Sequence, residues 1–224
     1  MKNTEEQKLF RTAVIFLASS GFAMLLLIMR LTFSSSANYI FLAWNLVLAW
    51  VPFVAALGLT YMQSHRFRWP GAIALLCLWL LFLPNAPYII TDFLHLRPRA
   101  GAPYWFDISL ITAFAWNGLL LGFTSIKLVH KFLEERFSKK VSLASILFAL
   151  LLCGFGVYLG RYERWNSWDI ISDPFSLAAD IMNMIVHPFR HPRMVGMTLM
   201  FFAFMTIGYF TINSIGNLNK NQPA

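Results

Sequence analysis

Six apolar runs of about 20 residues each govern what this chain can become. They fall at about 12–33, 39–62, 69–90, 107–129, 141–160 and 193–214. As a helix rising 1.5 Å per residue, a run of this length crosses a hydrocarbon core of about 30 Å. Lipid offers the backbone no hydrogen-bond partner, so such runs must close their bonds internally as helices. The spacing predicts an all-α integral membrane protein of about six transmembrane helices, with one polytopic membrane domain over residues 1–217 and a polar tail over 218–224. A composition that is 58% hydrophobic and only 12% charged agrees.

The first run is read as an uncleaved span. Lys2, Lys8 and Arg11 precede it, and Ser35-Ser36-Ala37 resembles a leader cleavage site. However, its 18 residues from Thr12 to Met29 exceed the roughly 7–15 of a leader core.

The net charge of +8 lies in short loops between apolar runs, which the positive-inside bias of membrane proteins explains better than a nucleic-acid interface, and no nucleic-acid partner is expected. Eleven Lys and Arg fall on one face and seven on the other, so both termini are expected in the cytoplasm. The third and fifth loops then share the outer face. They are also the loops densest in polar and aromatic residues.

The third run is interrupted. Leu83-Pro84-Asn85-Ala86-Pro87-Tyr88 places two prolines in it, each removing a backbone donor and disfavouring helix in the residue before. The 15 residues from Trp69 to Leu83 make only about 22 Å of helix. Two readings stay open: a broken span whose freed carbonyls face protein or a wet cavity, or a helix ending at Pro84 with an interfacial loop behind it.

The fifth loop contains a helix start, Asp173-Pro174, with an N-cap carboxylate and proline at the first position. Ser176, Asp180, Asn183 and His187 form a polar stripe, while Phe175, Leu177, Ala178, Ile181, Met182 and Ile185 form an apolar face. Fourteen residues cannot span, so 174–187 is expected as a short amphipathic helix lying in the outer interface.

The candidate site is a polar cluster drawn from both outer loops. Asn85, Tyr88, Asp92, His95 and Asp107 come from the third; Arg161, Glu163, Arg164, Asn166 and Asp169 come from the fifth. Charges at that depth need partners, so Arg161 or Arg164 should lie within about 4 Å of Asp92 or Asp107. The same arginines have the chemistry to grip a lipid phosphate, but mutual neutralisation of the charges is the simpler expectation. Tyr104, Trp105, Trp165 and Trp168 read singly as interfacial belt residues.

Metal and cofactor binding are not expected. Asp92 and His95 stand three apart, a spacing suited to a metal pair or to acid/base work, but one carboxylate and one imidazole do not make a site. His187 and His191 have metal-like spacing that Pro188 and Pro192 spoil. Cys77 and Cys153 read as small buried hydrophobes. Asn45 and Asn117 should make interhelical hydrogen bonds, Pro52 should kink the second span, and Gly118 with Gly122 should permit close helix contact.

Several strings resemble one family. Leu83-Pro84-Asn85-Ala86-Pro87-Tyr88, Thr91-Asp92 and Arg164-Trp165-Asn166-Ser167-Trp168-Asp169 are similar to motifs of the bacterial multi-pass membrane proteins known as domain of unknown function 1361. Trp44-Asn45, Ala49-Trp50-Val51-Pro52 and Gly122-Phe123-Thr124-Ser125 resemble its second and fourth spans. The resemblance covers nearly the whole chain and implies a polytopic protein of the bacterial inner membrane. It transfers no catalytic residue, because the family has no established activity.

Three functions fit the residues, in this order. The first is a non-catalytic membrane component binding a membrane lipid, or a membrane protein partner, at the outer polar cluster. The second is a small-solute transporter, favoured by the interrupted third run. The third is an enzyme acting on a lipid or lipid-linked substrate, with Asp92, His95 or Asp107 as acid/base. Whether there is catalysis stays open at this level.

Overall fold

A computed structural model of the chain describes residues 2–34, 38–65, 68–97 and 101–218. The tail beyond 218, Ser35-Ser36-Ala37 and the loop residues Arg66 and Arg99 lie outside them. All regular structure among the described residues is helical. In chain order it comprises α1 (Lys2–Ser34), α2 (Phe41–His65), α3 (Trp69–Phe82), α4 (Asn85–Tyr88), α5 (Tyr104–Glu134), α6 (Lys139–Tyr158), α7 (Asp169–Ser172), α8 (Pro174–Val186) and α9 (Pro192–Leu218). A 3₁₀ turn (Ile89–His95) follows α4, and a π turn (Leu159–Glu163) follows α6.

Six of the helical stretches are long and apolar enough to cross a membrane, and α8 is a shorter apolar helix beside them. The chain is therefore an integral membrane protein. Among the six, α5 is the most buried, and it packs on α1, α2, α4, α6 and α9. The outward faces remain apolar. On α2 the exposed stripe runs through Trp44, Val47 and Val54, the surface lipid meets.

The interruption in the third run is a break inside the span. Helical backbone bonding resumes at once, with Ala86 N–H donating to the Leu83 carbonyl and Tyr88 N–H to the Pro84 carbonyl, both at 3.1 Å. The stretch 69–95 reads as one crossing, and Leu83, Ala86 and Ile89 are fully buried. Two carbonyls in the last turn of α3 find side-chain donors. Asn85 Nδ2 donates to Phe82 O at 3.0 Å, and Ser167 Oγ donates to Leu81 O at 3.1 Å. The fifth loop thus repairs the third span.

Glycines make room for that break on two sides. A Cβ at Gly118 would come 2.6 Å from the Ala86 carbonyl oxygen, and one at Gly122 would come 2.8 Å from the Ala86 Cβ. On α6, a Cβ at Gly156 would meet the Pro84 ring at 2.5 Å, and one at Gly160 would meet the Tyr88 ring at 3.1 Å. Each pair is four residues apart, one face of a helix. Gly118 and Gly122, expected to serve ordinary helix contact, serve the broken segment.

Asn117 makes the interhelical bonds expected of it, donating to Ser19 O at 3.3 Å, while Trp50 Nε1 reaches Ser20 Oγ at 3.1 Å. Pro52 lies buried inside α2. One expectation is corrected: Cys153 is buried, but Cys77 is exposed. It shares the exposed side of α3 with Ile73 and Leu78.

Candidate functional site

The site is built on the irregular backbone at one end of the bundle. The 3₁₀ turn carries Thr91 and Asp92, both buried; Asp92 is 0% exposed. The π turn carries Arg161 against them. Arg161 Nη2 donates to Asp92 Oδ1, and its Nε donates to Thr91 Oγ1 at 2.7 Å. Asn45 Nδ2, from α2, donates to Asp92 Oδ2 at 2.8 Å. Both carboxylate oxygens are therefore held by donors. The Arg161 guanidinium also lies 4.4 Å from the centroid of the Tyr88 ring, a cation–π distance.

Arg164 ends the π turn in the left-handed region, at φ 61°. For a residue with a Cβ this conformation costs about 1–2 kcal/mol. It turns the chain across the bundle end, where Trp165 N–H closes on Leu159 O at 3.2 Å. Asp169 shapes the next turn, accepting from the Asn166 N–H at 2.6 Å, from Asn166 Nδ2 at 3.2 Å and from Ser172 Oγ at 2.9 Å. The Asn166 backbone N–H is the main reason the Asp169 carboxyl is held below its ordinary value; the Ser172 and Asn166 side chains add to it.

A cavity of about 230 Å³ lies between α2, the α3–α4 break, the end of α6 and the 165–170 segment. Asn45, Asn85, Tyr88 and Asn166 are its main polar walls, with Trp44, Trp165 and Trp168 among the aromatic ones. Trp44 and Trp168 meet edge to face at 6.1 Å. Leu177 and Ile181 of α8 close another side.

The ten candidate residues are divided by this geometry. Asn85, Tyr88 and Asn166 line the cavity, and Asp92 with Arg161 lies behind Asn45 and Tyr88. Asp107 is elsewhere. It is paired with Arg30 of α1, whose Nη2 donates to Asp107 Oδ2 at 3.1 Å, and it accepts from Tyr39 Oη at 3.2 Å. Arg30 solved the same desolvation problem from a nearer helix, so no fifth-loop arginine is needed there. Glu163 accepts from Tyr158 Oη at 2.7 Å. Arg164 is exposed. His95 is exposed as well, 5.2 Å from the Phe41 ring, and does not share the burial of Asp92. Among the described residues no three His, Cys, Asp or Glu come together as metal ligands.

A family described as a protein of unknown function, DUF1361, matches residues 44–207. The chain belongs to the DUF1361 family. No curated protein and no solved structure matches it. The DUF1361 match contains Asn45, Asp92 and Arg161 but begins after Arg30 and Tyr39.

Residues missing from the candidate cluster contribute as much to the DUF1361 site as those in it. Asn45 reads in sequence as a helix–helix hydrogen bonder, Thr91 as part of a string, and Ser167 as loop polarity. One signal was available: Trp44 and Asn45 open the second span at the same membrane end as loops three and five. The α8 helix also divides its apolar residues differently from expectation. Leu177, Ile181 and Met184 face the protein, while Phe175, Met182 and Ile185 are exposed.

Proposed function

We propose that this DUF1361 protein is a non-catalytic membrane component that holds a lipid at its outer face, with both termini in the cytoplasm. The supporting observation is the cavity, whose wall includes the exposed Trp44 at the head of the lipid-facing stripe of α2. A cavity that reaches the lipid-facing surface near one end of a span suits a lipid headgroup, with the chains left in the bilayer. Binding is favoured over chemistry because both oxygens of Asp92, the best placed acid/base candidate, are held by Arg161 and Asn45. A solute pathway is less favoured. The sequence carries no duplicated halves of the kind from which transporter sites are built.

The orientation rests on the cation asymmetry of the sequence. A carboxy-terminal alkaline phosphatase fusion should be inactive; an active one would invert the assignment of the cavity to the outer face. Lipid binding is tested by extracting the full-length protein into polymer nanodiscs and counting lipid tightly retained after exchange. Wild type should keep about one molecule per chain, and Ile181→Trp, which fills the cavity, should lose it while melting normally. Equal retention by the two proteins would sink the reading.

A further inference from the structure

Resting on that reading, we propose that the cavity takes an uncharged, hydroxyl-rich headgroup, a sugar-bearing lipid and not a phosphate-bearing one. No Lys, Arg, Asp or Glu is among its lining residues. A buried phosphate needs charge-assisted donors. The charge of Arg161, which lies against Tyr88, is already matched by Asp92, with Nη2 donating to Asp92 and Nε to Thr91. An ammonium headgroup fits no better. Asp92 is neutralised by Arg161, and the Tyr88 face already carries that guanidinium, so a second cation there meets repulsion, while Asp169 is engaged by Asn166 and Ser172 and Asp180 by Trp165.

The polar walls instead call for neutral donors. The amide orientations are set by their acceptors. Asn45 Nδ2 goes to the Asp92 carboxylate, Asn85 Nδ2 to the Phe82 carbonyl and Ser167, and Asn166 Nδ2 to the Asp169 carboxylate. The three Oδ1 acceptors and the Tyr88 hydroxyl have no hydrogen-bond partner among the described residues. A ligand that brings several O–H donors satisfies them; a phosphate, being acceptor-only, does not. The indoles of Trp44 and Trp168 supply the other requirement. The C–H face of a sugar ring is weakly positive and apolar, and it packs on the negative face of an aromatic ring. At about 230 Å³ the cavity falls below the roughly 300 Å³ at which drug-sized clefts begin, so it holds a headgroup and not a whole lipid. The acyl chains then run down α2 past Val47 and Val54, which are exposed below Trp44.

The test uses full-length protein in phosphatidylcholine nanodiscs containing equal minor fractions of monoglucosyl-diacylglycerol, phosphatidylglycerol and phosphatidylethanolamine. Lipids retained on the protein are counted by native mass spectrometry. Monoglucosyl-diacylglycerol should be enriched about tenfold over its share of the disc, equivalent to about 1.4 kcal/mol. Asn85→Ala and Trp168→Ala should bring it back to that share, and Trp168→Phe should keep most of it. As a measurement that needs no variant, submicellar octyl glucoside should shift wild-type tryptophan emission to the blue and compete off the retained glycolipid. Enrichment of phosphatidylglycerol or phosphatidylethanolamine that Ile181→Trp removes overturns the neutral-headgroup inference and leaves lipid binding standing. No enrichment of any lipid over Ile181→Trp overturns both. Glycolipid enrichment that survives Asn85→Ala, Trp168→Ala and octyl glucoside overturns the assignment to this cavity.

Discussion

Among the described residues two buried arginine–carboxylate pairs lie at the same end of the bundle, and they are built differently. Arg30 and Asp107 sit near the ends of two long continuous helices, each about 1% exposed, with Tyr39 as a further donor. Arg161 and Asp92 sit on a π turn and a 3₁₀ turn, and Arg161 keeps 10% exposure beside a cavity. The family match covers both members of the second pair and only the carboxylate of the first. A buried ion pair on regular helices cross-links them. One on irregular backbone holds in place a shape that regular helices could not make. The first pair ties α1 to α5; the second supports the cavity wall.

The largest effect that tests this contrast is on stability. Arg30→Ala leaves Asp107 buried without its counter-ion, which costs about 3–5 kcal/mol. Thermal melting in nanodiscs should show a severe loss, greater than for any change at Asp92 or Arg161. If Arg161→Ala melts as low as Arg30→Ala, the contrast between the pairs is wrong. Gly118→Ala comes next, because its Cβ would press on the Ala86 carbonyl, and overpacking of this kind costs about 1–3 kcal/mol. Its melting loss should be accompanied by loss of retained lipid, since the break it displaces forms the cavity.

Arg161→Ala should destabilise by about 1–3 kcal/mol, because Arg161 keeps 10% exposure beside the cavity, where water can reach the carboxylate left behind. Replacing both members, Asp92→Asn with Arg161→Met, should recover much of that stability but not the bound lipid. Recovery of binding in the double variant would show that the pair is only a structural tie, like Arg30 and Asp107. The smallest effect is a pH dependence. Asp169 has a depressed carboxyl pKa in the folded protein, below the ordinary 3.8. Its contribution to the 166–172 turn is therefore present above that ordinary value and lost as pH falls through the lower folded one. Trp165 and Trp168 fluorescence should report a small acid transition that Asp169→Asn removes. An identical transition in the variant would assign it to another group.

The contrast also sorts what was legible. The helical membrane class, the number of long apolar helices and the start of α8 at Asp173-Pro174 follow from run length and local capping, and these are local physics. That Arg161 needs a carboxylate partner also follows from sequence, because its position beside hydrocarbon makes an unpaired charge costly. Which carboxylate it meets does not follow. Asp92 and Asp107 had equal claims by depth, and the choice turned on Arg30 reaching Asp107 first through the packing of α1 on α5.

By itself, then, the sequence determined the elements whose energetics close within a few consecutive residues: spans that satisfy their own backbone, a proline break that cannot, and an amphipathic helix too short to cross. Only the tertiary structure decided how the break is repaired. Leu81 O takes its donor from Ser167, 86 residues away, and the segment fits because Gly118, Gly122, Gly156 and Gly160 leave space on two other helices. These contacts join residues far apart in the chain, and no pattern along the sequence encodes which distant donor meets which freed carbonyl.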